Sequence, residues 1–175
     1  MKAIVTFATL CLLASCEKKA EPAATAPEAA PSAELSKVLS AAPTGTAQAI
    51  HTARTTAKPG DTLTLSGKIM GSESPFVAGR AAFILGDPEV LTPCNEMPGD
   101  ECETPWDACC DSPEDKKRGT ATIQIVDAEG RPLKEDVKGV GGLDHLAEIT
   151  VTGTVAEGSS ADLLVINATA IQAGK

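Results

Sequence analysis

The sequence predicts an all-β domain, a small five-stranded barrel with one short helix and a cysteine-rich insertion between the second and third strands. Two observations carry this. Five separate stretches place apolar residues at every second position, the period of a half-buried strand. Beyond residue 16 the aromatic residues are Phe76, Phe83 and Trp106, while Gly, Thr, Val and Ile are common, so the core must be aliphatic and a helical bundle is disfavoured.

In chain order, a helix is expected over residues 35–42 and a turn through Ile50 to Ala57, both ahead of the barrel. In "GDTLTLSGKIMG", Leu63, Leu65 and Ile69 share one face, with Thr62, Thr64, Ser66 and Lys68 on the other. Gly67 interrupts the inward face, as glycine does where a strand bends sharply or bulges. "FVAGRAAFILGD" supplies the second strand, and "GTATIQIVDAEG" the third, with Ala121, Ile123 and Ile125 in step. A short helix is expected over Leu143 to Ala147. "AEITVTGTVAEG" repeats the first pattern with Ile149, Val151, Gly153 and Val155, and "ADLLVINATAIQ" is the fifth strand.

Five strands, a helix between the third and fourth, and glycines inside the first and fourth resemble an OB-fold over roughly residues 58–172. An immunoglobulin-like sandwich is the alternative, but it would need about seven strands. OB-folds often bind single-stranded nucleic acid or oligosaccharide on the face of strands two and three. Nucleic acid asks for a basic groove and stacking aromatics. Residues 37–175 carry 12 Lys and Arg against 20 Asp and Glu, and the chain has no tyrosine. No nucleic-acid partner is expected.

The N-terminus "MKAIVTFATLCLLASC" has one early lysine, an apolar run from Ala3 to Leu13, and small residues. That run is shorter than the about 20 residues a spanning helix needs, and it has the build of a secretory signal. Leu13-Ala14-Ser15-Cys16 resembles the lipobox of bacterial lipoproteins. The resemblance implies cleavage after residue 15, lipidation of Cys16 and a membrane anchor. Glu17 implies sorting to the outer membrane, facing the periplasm. Residues 16–34, rich in Ala, Pro and Glu and lacking large apolar side chains, read as a disordered tether before the domain at 35–175. "AKPGDTLTLSGKIMGSESPFVAGRAAFILGDPEV" followed by "TPWDACC" is similar to a family of bacterial lipoproteins with an OB-like barrel and a Cys-rich insertion. That resemblance implies fold and location, and no activity.

The insertion, residues 87–117, holds Cys94, Cys102, Cys109 and Cys110 in a C-x7-C-x6-C-C spacing. Residues 87–115 hold ten Asp and Glu and no Lys or Arg. The spacing lacks the close C-x2-C pairs of zinc ribbons and the C-x-x-C of thiol oxidoreductases. An even set of cysteines in an oxidising compartment normally pairs. Two disulfides are therefore expected, holding a long irregular insertion at roughly 3 kcal/mol per bridge. A bond between the neighbours Cys109 and Cys110 is disfavoured, and two pairings stay open. Trp106 and Asp107 are candidate ligand contacts, with Trp106 alternatively packing over the barrel mouth. His51 and His145 stand in no nucleophile or zinc motif, so no catalytic, metal or cofactor residue is assigned. The expected function is non-enzymatic binding of an envelope protein or glycan. The alternative is metal binding or thiol redox chemistry by the four loop cysteines.

Overall fold

The computed structural model describes residues 30–99 and 101–174. The strands are β1 (Gln48–Ala49), β2 (Thr62–Lys68), β3 (Ala82–Gly86), β4 (Thr120–Gln124), β5 (Glu148–Val155) and β6 (Val165–Ala173). The helices are α1 (Ala33–Ser40), α2 (Ile50–Arg54) and α3 (Pro113–Gly119), with 3₁₀ turns at Cys94–Glu96 and Val140–Gly142. The leader expected over residues 1–15, Cys16 and the tether as far as residue 29 lie outside the described residues.

Five strands close on themselves in the order β2-β3-β4-β6-β5 and back to β2. Within the ring, β4 and β6 run parallel and the other neighbours antiparallel. This is the OB-like barrel that the sequence predicts. β1 adds a short parallel pairing to β2. The inward residues anticipated from alternation, among them Leu65, Ile123, Ile125, Ile149 and Val151, are almost wholly buried around Phe83 and Leu85. Each such side chain taken from water contributes roughly 1.5–3 kcal/mol.

Two glycines make the closure possible. β2 must leave β5, with which it shares seven residue pairs, and meet β3, with which it shares only Lys68↔Gly86. A Cβ on Gly67 would lie 2.5 Å from the Gly86 carbonyl oxygen. At Gly153 a Cβ would lie 2.5 Å from the Asn167 carbonyl oxygen, next to the register shift between Thr152 and Gly153. Such contacts leave room for hydrogen alone.

Helices cover the barrel where its strands leave apolar surface open. α1 buries Leu35 and Val38, and it makes contact with β6. Its N-cap Ser32 accepts from the Leu35 N–H and donates to Glu135, so order begins ahead of the expected boundary at residue 35. α2 buries Ile50 and Ala53 and lacks a capping side chain of its own. The buried Asp87 takes that role by accepting from the His51 N–H at 2.9 Å.

Several expectations are corrected. Residues 143–147 are not helical. The backbone N–H of Leu146 and the carbonyl of Ala147 pair with Ile69, prolonging the β2 ladder, which a helix could not do. Leu146 adopts a left-handed φ of 63°, and the 3₁₀ turn lies just upstream at Val140–Gly142. The second predicted strand is a hairpin: Phe76 bridges Phe83, and the chain turns at Val77–Arg80 before β3. The outward Thr64 and Thr152 are buried, because both hydroxyls meet the backbone of Thr44, which crosses over them. Finally, the insertion is not irregular, since it contains the 3₁₀ turn at Cys94–Glu96 and α3.

Candidate functional site

The insertion departs from β3 at Gly86 and returns to β4 at Thr120, so it sits over one end of the barrel. Backbone bonds give it a fixed shape. The Cys94 N–H donates to the Asp107 carbonyl at 2.8 Å, and the Asn95 N–H to the Pro105 carbonyl at 3.0 Å. The segments 93–96 and 104–107 are thereby zipped together. The Gly71 N–H, just beyond β2, donates to the Trp106 carbonyl at 3.0 Å and ties the zipped pair to the barrel. Beneath it a second apolar cluster forms from Met70, Leu91 and Ala108, with Val90 and Leu146 against it. α3 then leads back to the barrel. Ser112 caps it by accepting from the Asp115 N–H, Pro113 opens it, acids fill its first turn and Lys116, Lys117 and Arg118 its last. The run Ser112-Pro113-Glu114-Asp115 is a legible helix start.

This scaffold gathers cysteines that are far apart in sequence. The sulfurs of Cys94, Cys102 and Cys109 all lie within 4.8 Å of one another. Cys94 Sγ and Cys109 Sγ are 3.4 Å apart, a thiol contact well beyond the about 2.05 Å of a disulfide. Cys110 lies outside the mutual set, yet its sulfur is 3.8 Å from that of Cys109. Exposure rises across the group: Cys94 is buried, Cys102 half-buried, Cys109 and Cys110 exposed. Among the described residues, no other three His, Cys, Asp or Glu side chains converge closely enough to share an ion.

The thiols differ in acidity. Hydrogen bonds from the Thr104 side chain and backbone, then from Cys94, pull the Cys102 thiol below its ordinary value. For Cys109 the contact with Cys94 acts downward, but Cys110, partial burial and Cys102 outweigh it and push the thiol up. Cys102 is therefore the thiol of this pair that ionises first. Thiolate is the form that binds metals and attacks disulfides.

Trp106 lies on the loop's inner side. Its ring stacks on His145 with centroids 3.6 Å apart and planes at 21°, and its Nε1–H donates to the Glu73 carbonyl at 2.9 Å. His145 in turn meets Phe76 at 5.4 Å, and Phe76 meets Phe83 at 6.2 Å. An aromatic column thus runs from the loop into the barrel core. Burial, then the charge of Lys138, depress the His145 pKa, with Asp144 opposing. Trp106 packs over the barrel end, one of the two roles foreseen for it. Asp107 is turned inward, only 9% exposed, with its carboxylate accepting from the Ala108 N–H. It shapes the turn that delivers Cys109 and offers little surface to a ligand.

The other histidine, His51, is engaged within the fold. His51 Nδ1 is 2.8 Å from the buried Asp87 carboxylate, and its Nε2 is 3.2 Å from the neighbouring Thr52 hydroxyl. The positions of β3 and β4 facing away from the core are Ala82, Ile84, Gly86, Thr120, Thr122 and Gln124, with neither a charge nor an aromatic ring. No family model, curated protein or solved structure matches the chain.

Proposed function

We propose that this chain is a lipid-anchored envelope module, held to the membrane through Cys16, that binds a soft metal ion through the cysteines of its insertion. The convergence of Cys94, Cys102 and Cys109 within 4.8 Å carries the reading. A metal bound to sulfur at about 2.3 Å in tetrahedral geometry sets its ligand sulfurs about 3.8 Å apart. The 3.4 Å between Cys94 and Cys109 and the 4.8 Å limit on every pair of the three lie on either side of that value, so small side-chain adjustments accommodate the ion. Thiolate ligands select soft cations such as copper(I) or zinc(II) over magnesium or calcium. Residues 87–115 carry ten Asp and Glu and no Lys or Arg, a local charge that favours a cation as the ligand and raises its local concentration.

The expectation of two disulfides has a weaker claim than the cysteine spacing alone gives it. The insertion is already held by its backbone zipper, its own apolar cluster and α3, so covalent bridges are not needed to order it. Pairing of Cys94 with Cys109 remains its most favourable form, given their 3.4 Å contact. Thiol titration and metal analysis of protein taken directly from the envelope separate the two readings. Titratable loop thiols with one stoichiometric soft metal support the metal site. Oxidised Cys94 and Cys109 with no metal retained, before or after reduction and reloading, reject it. The absence of charge and rings from the outer face of β3 and β4 supports a partner other than nucleic acid.

A further inference from the structure

We infer that the metal site is an exchange site for a soft monovalent cation of the copper(I) class, fixed by Cys94, Cys102 and Cys109, with Cys110 as the ligand through which the ion arrives and leaves. The inference rests on the reading of the insertion as a metal site and specifies what that site does with its ion.

Three observations point this way. First, the mutual cluster contains three sulfurs and not four. Three thiolates complete the coordination of copper(I), whereas a structural zinc site closes with four ligands. Second, the cluster runs from the buried Cys94 at its base to the exposed Cys109 and Cys110 at its rim. A site meant only to brace the fold would be closed to solvent, and this loop is braced by other means. Third, Cys110 stands beside the cluster, its sulfur 3.8 Å from that of Cys109, close enough to hold an ion jointly with it. Adjacent residues on an exposed turn can pass an ion inward with a small side-chain rotation.

The exchange is balanced without redox chemistry. An ion held by an outside thiolate or thioether is first captured by Cys110 and Cys109, whose thiols release protons to solvent as their sulfur–metal bonds form. Cys102 then displaces the donor and Cys94 displaces Cys110; each incoming thiol releases its proton as its sulfur–metal bond forms, the donor leaves, and the freed Cys110 thiolate takes a proton up from solvent. The cation keeps its oxidation state throughout, and release runs the same steps backwards.

The test uses the whole chain with Cys11→Ser and Cys16→Ser, so that the four loop cysteines are its only thiols, reduced and loaded anaerobically with copper(I). X-ray absorption is expected to count three sulfurs around copper in this protein and again in Cys110→Ser. By competition with a bidentate copper(I) chelator, Cys110→Ser should keep its affinity within about 3-fold, while Cys94→Ser and Cys102→Ser each lose about 100-fold or more. Transfer of copper to excess chelator should be at least about 10-fold slower in Cys110→Ser, a ratio that corresponds to about 1.4 kcal/mol of barrier. Trp106 fluorescence identifies any variant whose insertion no longer docks, and Cys102→Ser serves if Cys94→Ser fails to fold. Four sulfurs around copper, an affinity loss in Cys110→Ser equal to that in Cys102→Ser, or an unchanged transfer rate would overturn the exchange role while leaving a metal site intact. Failure of the parent protein to bind either copper(I) or zinc(II) would instead remove the metal site itself, and the exchange role with it.

Discussion

Gly67→Ala tests the closure on which the whole site rests. The added methyl would sit 2.5 Å from the Gly86 carbonyl oxygen, 2.9 Å from Leu85 Cγ and 3.3 Å from the Gly86 carbonyl carbon. Two of these atoms are backbone of the neighbouring strand, so no side-chain rotation relieves the clash. The strands must part by several tenths of an ångström at Lys68↔Gly86, the single residue pair joining β2 to β3. Overpacking of this kind costs about 2–3 kcal/mol, at the upper end of its usual range because the obstacle is rigid. With an unfolding entropy of about 0.3 kcal/mol/K for a domain of this size, Tm should fall by about 7–10 °C. The control is Gly158→Ala, where a Cβ meets nothing within 4 Å. It should leave Tm unchanged or raise it slightly by restricting the unfolded chain. Thermal unfolding would be followed by circular dichroism for the barrel and by the fluorescence of Trp106, the only tryptophan, for the insertion. Equal Tm values for Gly67→Ala and Gly158→Ala would refute the argument that the Gly67–Gly86 approach closes the barrel.

Cys16→Ser should abolish lipid labelling and release the protein from the membrane fraction; a variant that still carries the label and pellets with membranes would contradict the anchor. The whole chain should show no binding of an unstructured oligonucleotide at physiological salt, because the domain is acidic and its outer β3 and β4 face has no rings. Salt-sensitive binding at low micromolar concentration would reverse that conclusion. His145 offers a pH handle on the insertion. Its pKa is lowered in the folded protein, so its docked form favours the neutral ring. Docking is therefore complete above its ordinary pKa of 6.5 and weakens as pH falls from there through the lower folded value. Trp106 emission should change over that interval in the parent and stay flat in His145→Phe, which keeps the stack without the proton. A parent profile identical to that of His145→Phe would show that the ring does not titrate against Trp106.

The parts of the fold that were legible share one property: local periodicity encodes them. Leu63, Leu65 and Ile69, or Ala121, Ile123 and Ile125, reveal a strand because each strand has one face toward the same core. Gly67 and Gly153 were legible as interruptions of that period. What alternation could not show was the crossing of Thr44 over Thr64 and Thr152, because a covering segment far away in sequence leaves no trace in the strand it covers. The loss of helix at 143–147 has the same origin, since the competing partner is Ile69 on another strand. α3 is a different case. Its cap, its proline and its charge gradient were all present in residues 112–118, within a stretch that composition alone made look like loop.

By itself, the sequence determined an aliphatic five-stranded barrel and an acidic insertion with four cysteines, because composition and short-range pattern suffice for each. Only the tertiary structure decided that Cys94, Cys102 and Cys109 meet. The C-x7-C-x6-C-C spacing contains no local motif that would bring thiolates together. They converge because the Cys94 and Asn95 N–H groups find carbonyls at Asp107 and Pro105, and because Met70, Leu91 and Ala108 bury one another beneath them. Those contacts join segments separated in sequence, so no local pattern encodes them.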